Sequence, residues 1–357
     1  IGRWDDEWKL ANRQLQNTHL NKARQSVWYH RLGALAQDQG DYVAAQNQYQ
    51  RALTIFKTLD DQASIAKTYH DLGTLAQDQG DYVAAHNQYQ RALTIFEALS
   101  DQAGVAAIYH ELGTLAQLRG DYVAAQNQYQ RALTIFEVLG DRASITKTYH
   151  NLGVLAQFRG DYGTAQNQYQ QALTIFEALG DQAGIANTHH DLGVLAQLQG
   201  DYGAARDLYE RSLHIKEQLG DQAGMVAIYN NLGTLAQARG DSPSIILYFL
   251  ERSLECAESI PATMQTIKIV TSIGIRALQV NAVELTIRAF FWLLHTALTD
   301  NGQTEAFRVA IAGFRELYQS GYSAEVDSAL APLLAELPPE SAQQLQSLIE
   351  TDDGDRD

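Results

Sequence analysis

Residues 72–99 read LGTLAQDQGDYVAAHNQYQRALTIFEAL, and residues 112–139 repeat them as LGTLAQLRGDYVAAQNQYQRALTIFEVL. Glycines at 40, 80, 120, 160, 200 and 240, each followed by aspartate, set a period of forty over most of the 357-residue chain. A period of this length is the mark of stacked supersecondary units, so the usual estimate of domains from length does not apply. Within one copy, Ile65, Tyr69, Leu72 and Ala76 recur at helical spacing up to Gly80. Asp81 is a good N-cap, and Tyr82, Ala85, Tyr89, Ala92, Leu93 and Phe96 form the apolar stripe of a second helix. Each copy therefore predicts a helical hairpin, and Gly140, Gly180 and Gly220, each before an aspartate, mark the return to the next one.

Small residues stand where the two helices must approach: Gly73 on the first, Ala85 and Ala92 on the second, with the Tyr89 ring between them. One such hairpin buries too little to hold itself together, so neighbours must stack.

Composition narrows the function. The net charge is −16, from 42 acidic and 26 basic residues, with no basic run to neutralise a row of phosphates, which argues against nucleic acid. No segment approaches the roughly 18 continuous apolar residues of a bilayer span. Cys256 is the only cysteine, so no intramolecular disulfide is open to the chain, and a reducing, cytoplasmic setting is the expectation. There is no phosphate-binding Gly-Lys-Ser/Thr loop, no Gly-x-Ser-x-Gly and no His-Glu-x-x-His, so no catalytic residue, metal or cofactor is expected.

Leu72-Gly73, Gly80-Asp81-Tyr82, Ala85, Tyr89 and Ala92-Leu93 resemble the tetratricopeptide repeat, and the pattern recurs in five close copies and a degraded sixth. The one departure is the absence of a proline after the second helix, as in the longer forty-residue variety of this repeat. The resemblance implies an all-α, right-handed superhelical solenoid of stacked antiparallel hairpins, with the first helices lining a concave groove that binds a protein or peptide. The run LGDQAGIA at residues 179–186 beside LG-x-LAQ-x-x-GDY is also similar to the sensor arrays of bacterial STAND-type, or NB-ARC, signalling ATPases.

The expected organisation is as follows. Residues 1–20 read as the second helix of a repeat whose first helix is missing, as if the chain were cut from a longer one. Six units follow within 21–240, at about 21–60, 61–100, 101–140, 141–180, 181–220 and 221–260, the last degenerate. Residues 241–350 form degenerate helical repeats and a C-terminal cap with Phe290, Phe291 and Trp292 in its core, and 351–357 are an acidic disordered tail.

The first helices carry a polar stripe, in the second copy Lys67, His70, Asp71, Thr74, Gln77 and Asp78. Along the array it shows one column of histidines, His30, His70, His110, His150 and His190, with Asn151 beside it, and one of glutamines, including Gln117, Gln157 and Gln197. Imidazoles and amides suit the backbone of a bound peptide; the alternative is a solvated face merely copied with the rest of the repeat. Where copies differ, Asp38 and Asp78 become Leu118, Phe158 and Leu198, and Thr74 and Thr114 become Val154 and Val194. These apolar residues either seat a partner's anchors or tuck beneath the adjacent hairpin. The expected partner is a protein or peptide in the groove, with upstream domains of the same chain and self-association both open. A structural spacer or homo-oligomer is the other function class.

Overall fold

The computed structural model describes Trp8, Arg13, residues 21–299 and residues 304–350. The expected truncated-repeat helix at 1–20 and the acidic tail at 351–357 lie outside these residues, Trp8 and Arg13 apart. Every regular element among them is an α-helix. The chain divides into two units, 1–175 and 176–357.

The first unit begins with α1 (Lys22–Asp38) and α2 (Tyr42–Thr58), continues with α3 (Gln62–Asp78) and α4 (Tyr82–Ala98), and adds α5 (Gln102–Leu118), α6 (Tyr122–Leu139) and α7 (Arg142–Phe158). Its local stops follow the chemistry of the turn. Gly80 adopts φ +76°, and the Asp81 amide reaches back to the Ala76 carbonyl at 2.8 Å, while the Asp81 carboxylate accepts from the Ala84 amide at 2.9 Å. Between hairpins the first two junctions place Asp60 and Ser100 at φ 54° and 55°, and the third relieves the same left-handed position with Gly140.

Hairpins close on a tyrosine. A Cβ on Gly73 would lie 2.5 Å from the Tyr89 ring, and one on Gly113 2.6 Å from Tyr129, so glycine is what admits each ring between the helices. Tyr49, Tyr89, Tyr129 and Tyr169 are buried accordingly. Trp8 packs on Leu32 and Leu35.

The boundary between the units falls inside α8 (Tyr162–Leu179). In the second unit α9 (Gln182–Leu198), α10 (Tyr202–Leu219), α11 (Gln222–Arg239) and α12 (Pro243–Glu258) keep the hairpin order, with Pro243 at the first turn of α12, where a missing N–H is harmless. α13 (Met264–Gln279), α14 (Val283–Thr299), α15 (Thr304–Gln319), α16 (Ser323–Glu336) and α17 (Pro339–Glu350) complete it. Phe290 is buried between Gly274 and Gly313 and meets Phe314 edge-on, while Phe291 and Trp292 are half-buried against the same core.

Candidate functional site

The polar stripe of the first helices borders the tyrosine core, and two interlocking sets of polar contacts decide which of its atoms remain open. The first set lies within each hairpin. In the first unit the hydroxyls of Tyr49, Tyr89, Tyr129 and Tyr169 donate to the side-chain carbonyls of Gln37, Gln77, Gln117 and Gln157 at 3.1, 3.4, 3.1 and 3.1 Å. In the second unit Tyr209 does the same to Gln197 at 2.9 Å. Burial pushes the Tyr129 and Tyr209 phenols up, so they remain donors through the physiological range. Each glutamine is thereby held by its side-chain carbonyl. The amide of Gln37 reaches Asp78 at 2.7 Å, whereas those of Gln77, Gln117, Gln157 and Gln197 meet no acceptor among the described residues.

The second set joins one hairpin to the next through partners forty-one residues apart. His30 Nε2 lies 2.7 Å from Asp71, which also faces His70 Nδ1 at 3.3 Å. Burial opposes ionisation there, but the two imidazoles prevail and hold the Asp71 carboxyl down at about 2. Burial likewise works against a charged His70, and the Asp71 hydrogen bond and charge overcome it, raising the imidazole above its ordinary value. Further along, His110 is only 5% exposed, and its Nε2 sits 3.0 Å from the Asn151 amide. An amide nitrogen only donates, so Nε2 accepts and the His110 proton sits on Nδ1, facing Glu111 at 3.6 Å. In the second unit His190 and Asn231 repeat the contact at 2.9 Å. His150 is half-buried against the Tyr169 ring, 5.8 Å between centroids.

The apolar substitutions lie at the open ends of the first helices. Leu118 is 52% exposed and Phe158 66% in the first unit, and Leu198 is 52% exposed in the second, so none is tucked beneath a neighbouring hairpin. The Phe158 ring stands nearly parallel to Tyr122, 6.3 Å away and inclined by 7°. Val154 and Val194 are half-buried at the position where Thr114 shares a hydrogen bond with the Tyr129 hydroxyl at 3.2 Å.

The structure thus brings Gln117, Leu118, Val154, Gln157 and Phe158 onto the open side of first helices in one unit, and Val194, Gln197 and Leu198 in the other. His110 and Asn151 are spent on each other. Reading the stripe by type missed this pairing; the signal was present as a spacing of one period plus one residue, which places Asp71, Asn151 and Asn231 beside the preceding histidine. Another column also breaks: Phe56, Phe96, Phe136 and Phe176 are followed one period later by Lys216. Among the described residues no cluster of three His, Cys, Asp or Glu side chains converges as a metal site, and no helix is long and apolar enough to cross a membrane.

A family model described as tetratricopeptide repeat matches residues 24–98, 104–178 and 179–259, well over half of the chain. No curated protein matches it. Among solved structures, apo RapI is 16% identical with a TM-score of 0.60, the alignment covering 83% of this chain and 99% of that one. BtubC (BKLC) from P. vanneervenii is 24% identical with a TM-score of 0.54, covering 61% and 90% respectively. A Rap protein complexed with competence and sporulation factor is 15% identical with a TM-score of 0.55, covering 81% and 78%. At these identities the likeness is one of fold, and together with the family match it makes this chain a member of the tetratricopeptide-repeat family.

Proposed function

We propose that the chain is a non-enzymatic scaffold that binds a protein or peptide along the first helices, in the groove that the family resemblance implies. One observation carries the reading: Leu118 and Phe158 are left largely exposed beside Gln117 and Gln157, whose amide donors have no acceptor. Consecutive first helices stand about 10 Å apart, so the two amides offer donors to carbonyls some three residues apart on an extended chain. The two apolar side chains supply anchors, each worth about 1.5–3 kcal/mol when fully covered. His70, His110, His150 and Asn151 frame this surface in the first unit, with Val154 beside it; within the second unit Val194, Gln197 and Leu198 carry the same chemistry next to His190.

The test is a displayed peptide library panned against the chain, with the affinity of an enriched peptide then measured for the wild type and for Phe158→Asp. Weakening of about tenfold or more in the variant, with an unchanged helical spectrum, is expected. Enrichment of nothing, or equal affinity for both proteins, would remove the groove reading. A mass that rises with concentration in light scattering would then favour the spacer or oligomer.

The finer assignment, a cytoplasmic sensor or interaction arm of a larger bacterial signalling protein, rests on the LGDQAGIA run. A reading frame with no nucleotide-binding module upstream would sink it.

A further inference from the structure

The second unit contains a cleft of about 550 Å³ at the point where Lys216 replaces the phenylalanine of the earlier repeats. In the other hairpins that ring fills the junction; a Cβ on Gly184 would collide with Phe176. Here the lysine stem crosses the same spot, and a Cβ on Gly224 would lie 2.8 Å from Lys216 Cδ. A stem is thinner than a ring, and the space it leaves is not refilled.

Lys216 is buried, only 6% of the residue being exposed, and the partner of its ammonium group is Asp221 Oδ2 at 2.6 Å. An ammonium has three N–H donors, so two remain for an acceptor in the cleft. Asp221 is otherwise spent: its Oδ1 accepts from the Gly224 amide at 2.8 Å as the N-cap of α11. The corresponding caps Asp61, Asp101, Asp141 and Asp181 serve their helices with no lysine at all. Lys216 is therefore a positive charge added to a junction that is complete without it, in a chain of net charge −16. His190, the other titratable residue on the wall, has its Nε2 against Asn231 and its Nδ1 against Asp191 at 3.3 Å.

Much of the rest of the wall is apolar, with Val226, Ile228, Ile260, Pro261 and Ile269, while Asn187 and Gln265 add amides and Thr263 and Thr266 hydroxyls. The volume falls in the range of small-molecule sites. We propose that this cleft binds a small organic acid, its carboxylate accepting from Lys216 Nζ and its hydrocarbon body lying against Ile228, Ile260 and Ile269. The two sites share only His190, on the cleft wall, and the acid's own contacts use no residue of the peptide-binding surface, so either reading can fail alone.

Calorimetric titration with hexanoate and 4-phenylbutyrate, and with their primary amides, tests it. Saturable binding of the acids is expected, with the amides weaker by about ten- to a hundredfold for loss of a charge-assisted hydrogen bond. Lys216→Met keeps the stem and should erase the preference for acid over amide. Lys216→Phe restores the side chain of the other repeats, which pack it beside glycine, and should bind neither. Failure of both acids to bind the wild type, equal affinity for amides, or acid binding unchanged in Lys216→Met each overturns the proposal. An acetylated peptide ending in leucine that binds more tightly than the free acids overturns the small-molecule assignment in favour of a chain terminus.

Discussion

The side-chain amide of Asn151 meets Nε2 of His110 at 3.0 Å, linking two hairpins through residues forty-one positions apart. Because His110 is buried, removing the donor strands an imidazole nitrogen with no access to water. Asn151→Leu should therefore destabilise by about 1–3 kcal/mol, read as a lower urea midpoint. A midpoint equal to the wild type would mean that the contact contributes nothing.

Glycine has two separate duties in each hairpin, and alanine substitution separates them. Gly113→Ala forces a methyl to within 2.6 Å of the Tyr129 ring, which is itself held by Thr114 and Gln117. Overpacking of that kind costs about 1–3 kcal/mol, offset in part by about 1 kcal/mol of helix propensity. Gly120→Ala meets nothing within 4 Å and suffers only the left-handed φ of +76°, about 1–2 kcal/mol. If Tyr129 rather than the turn is the tighter constraint, thermal melts will show a core that loosens in Gly113→Ala, with loss of near-ultraviolet tyrosine dichroism, and one that keeps its signal in Gly120→Ala.

Asp71 and His70 give the first unit a pH dependence with two flanks. The Asp71 carboxyl falls from 3.8 to about 2, so its contribution is present above 3.8 and is lost as pH drops toward 2, a change of about 2 kcal/mol. His70 is raised, so its contribution is complete below 6.5 and fades as pH climbs through its folded value. The melting-temperature advantage of the wild type over Asp71→Asn should be greatest near pH 5, by roughly this reckoning, and shrink on both sides. A difference that is flat from pH 3 to 8 would show that the carboxylate and the imidazoles are not coupled.

Tyr209→Phe removes the hydroxyl that orients Gln197 at 2.9 Å, in a hairpin where Val194 supplies no alternative partner. The expected loss is about 1 kcal/mol. In amide-resolved NMR the Gln197 side-chain NH2 resonances should collapse toward random-coil positions, since nothing then holds the carbonyl. Retention of dispersed Gln197 signals would show that the glutamine is fixed by something other than the tyrosine.

The hairpin plan was legible because its determinants are local. Gly80-Asp81 ends one helix and starts the next within two residues, and the Gly73–Tyr89 complement spans sixteen, a separation that one copy contains whole. The exposed Leu118, Phe158 and Leu198 were legible as exceptions to a repeat that is otherwise reproduced nearly verbatim. The availability of the polar stripe was not, since residue type says what an imidazole or amide can bond, and only packing says what it already bonds.

The amino-acid sequence by itself determined the period, the helices, their caps and the glycine–tyrosine fit, because each depends on backbone preference and side-chain volume within a single unit. The tertiary structure alone decided that Asp71 and Asn151 occupy the preceding histidines, that the glutamine carbonyls belong to the core tyrosines, and that a lysine in a phenylalanine's place leaves a cleft. Those outcomes depend on where one hairpin sets its side chains against another, and a hydrogen bond satisfied across that junction leaves no mark on either residue's identity.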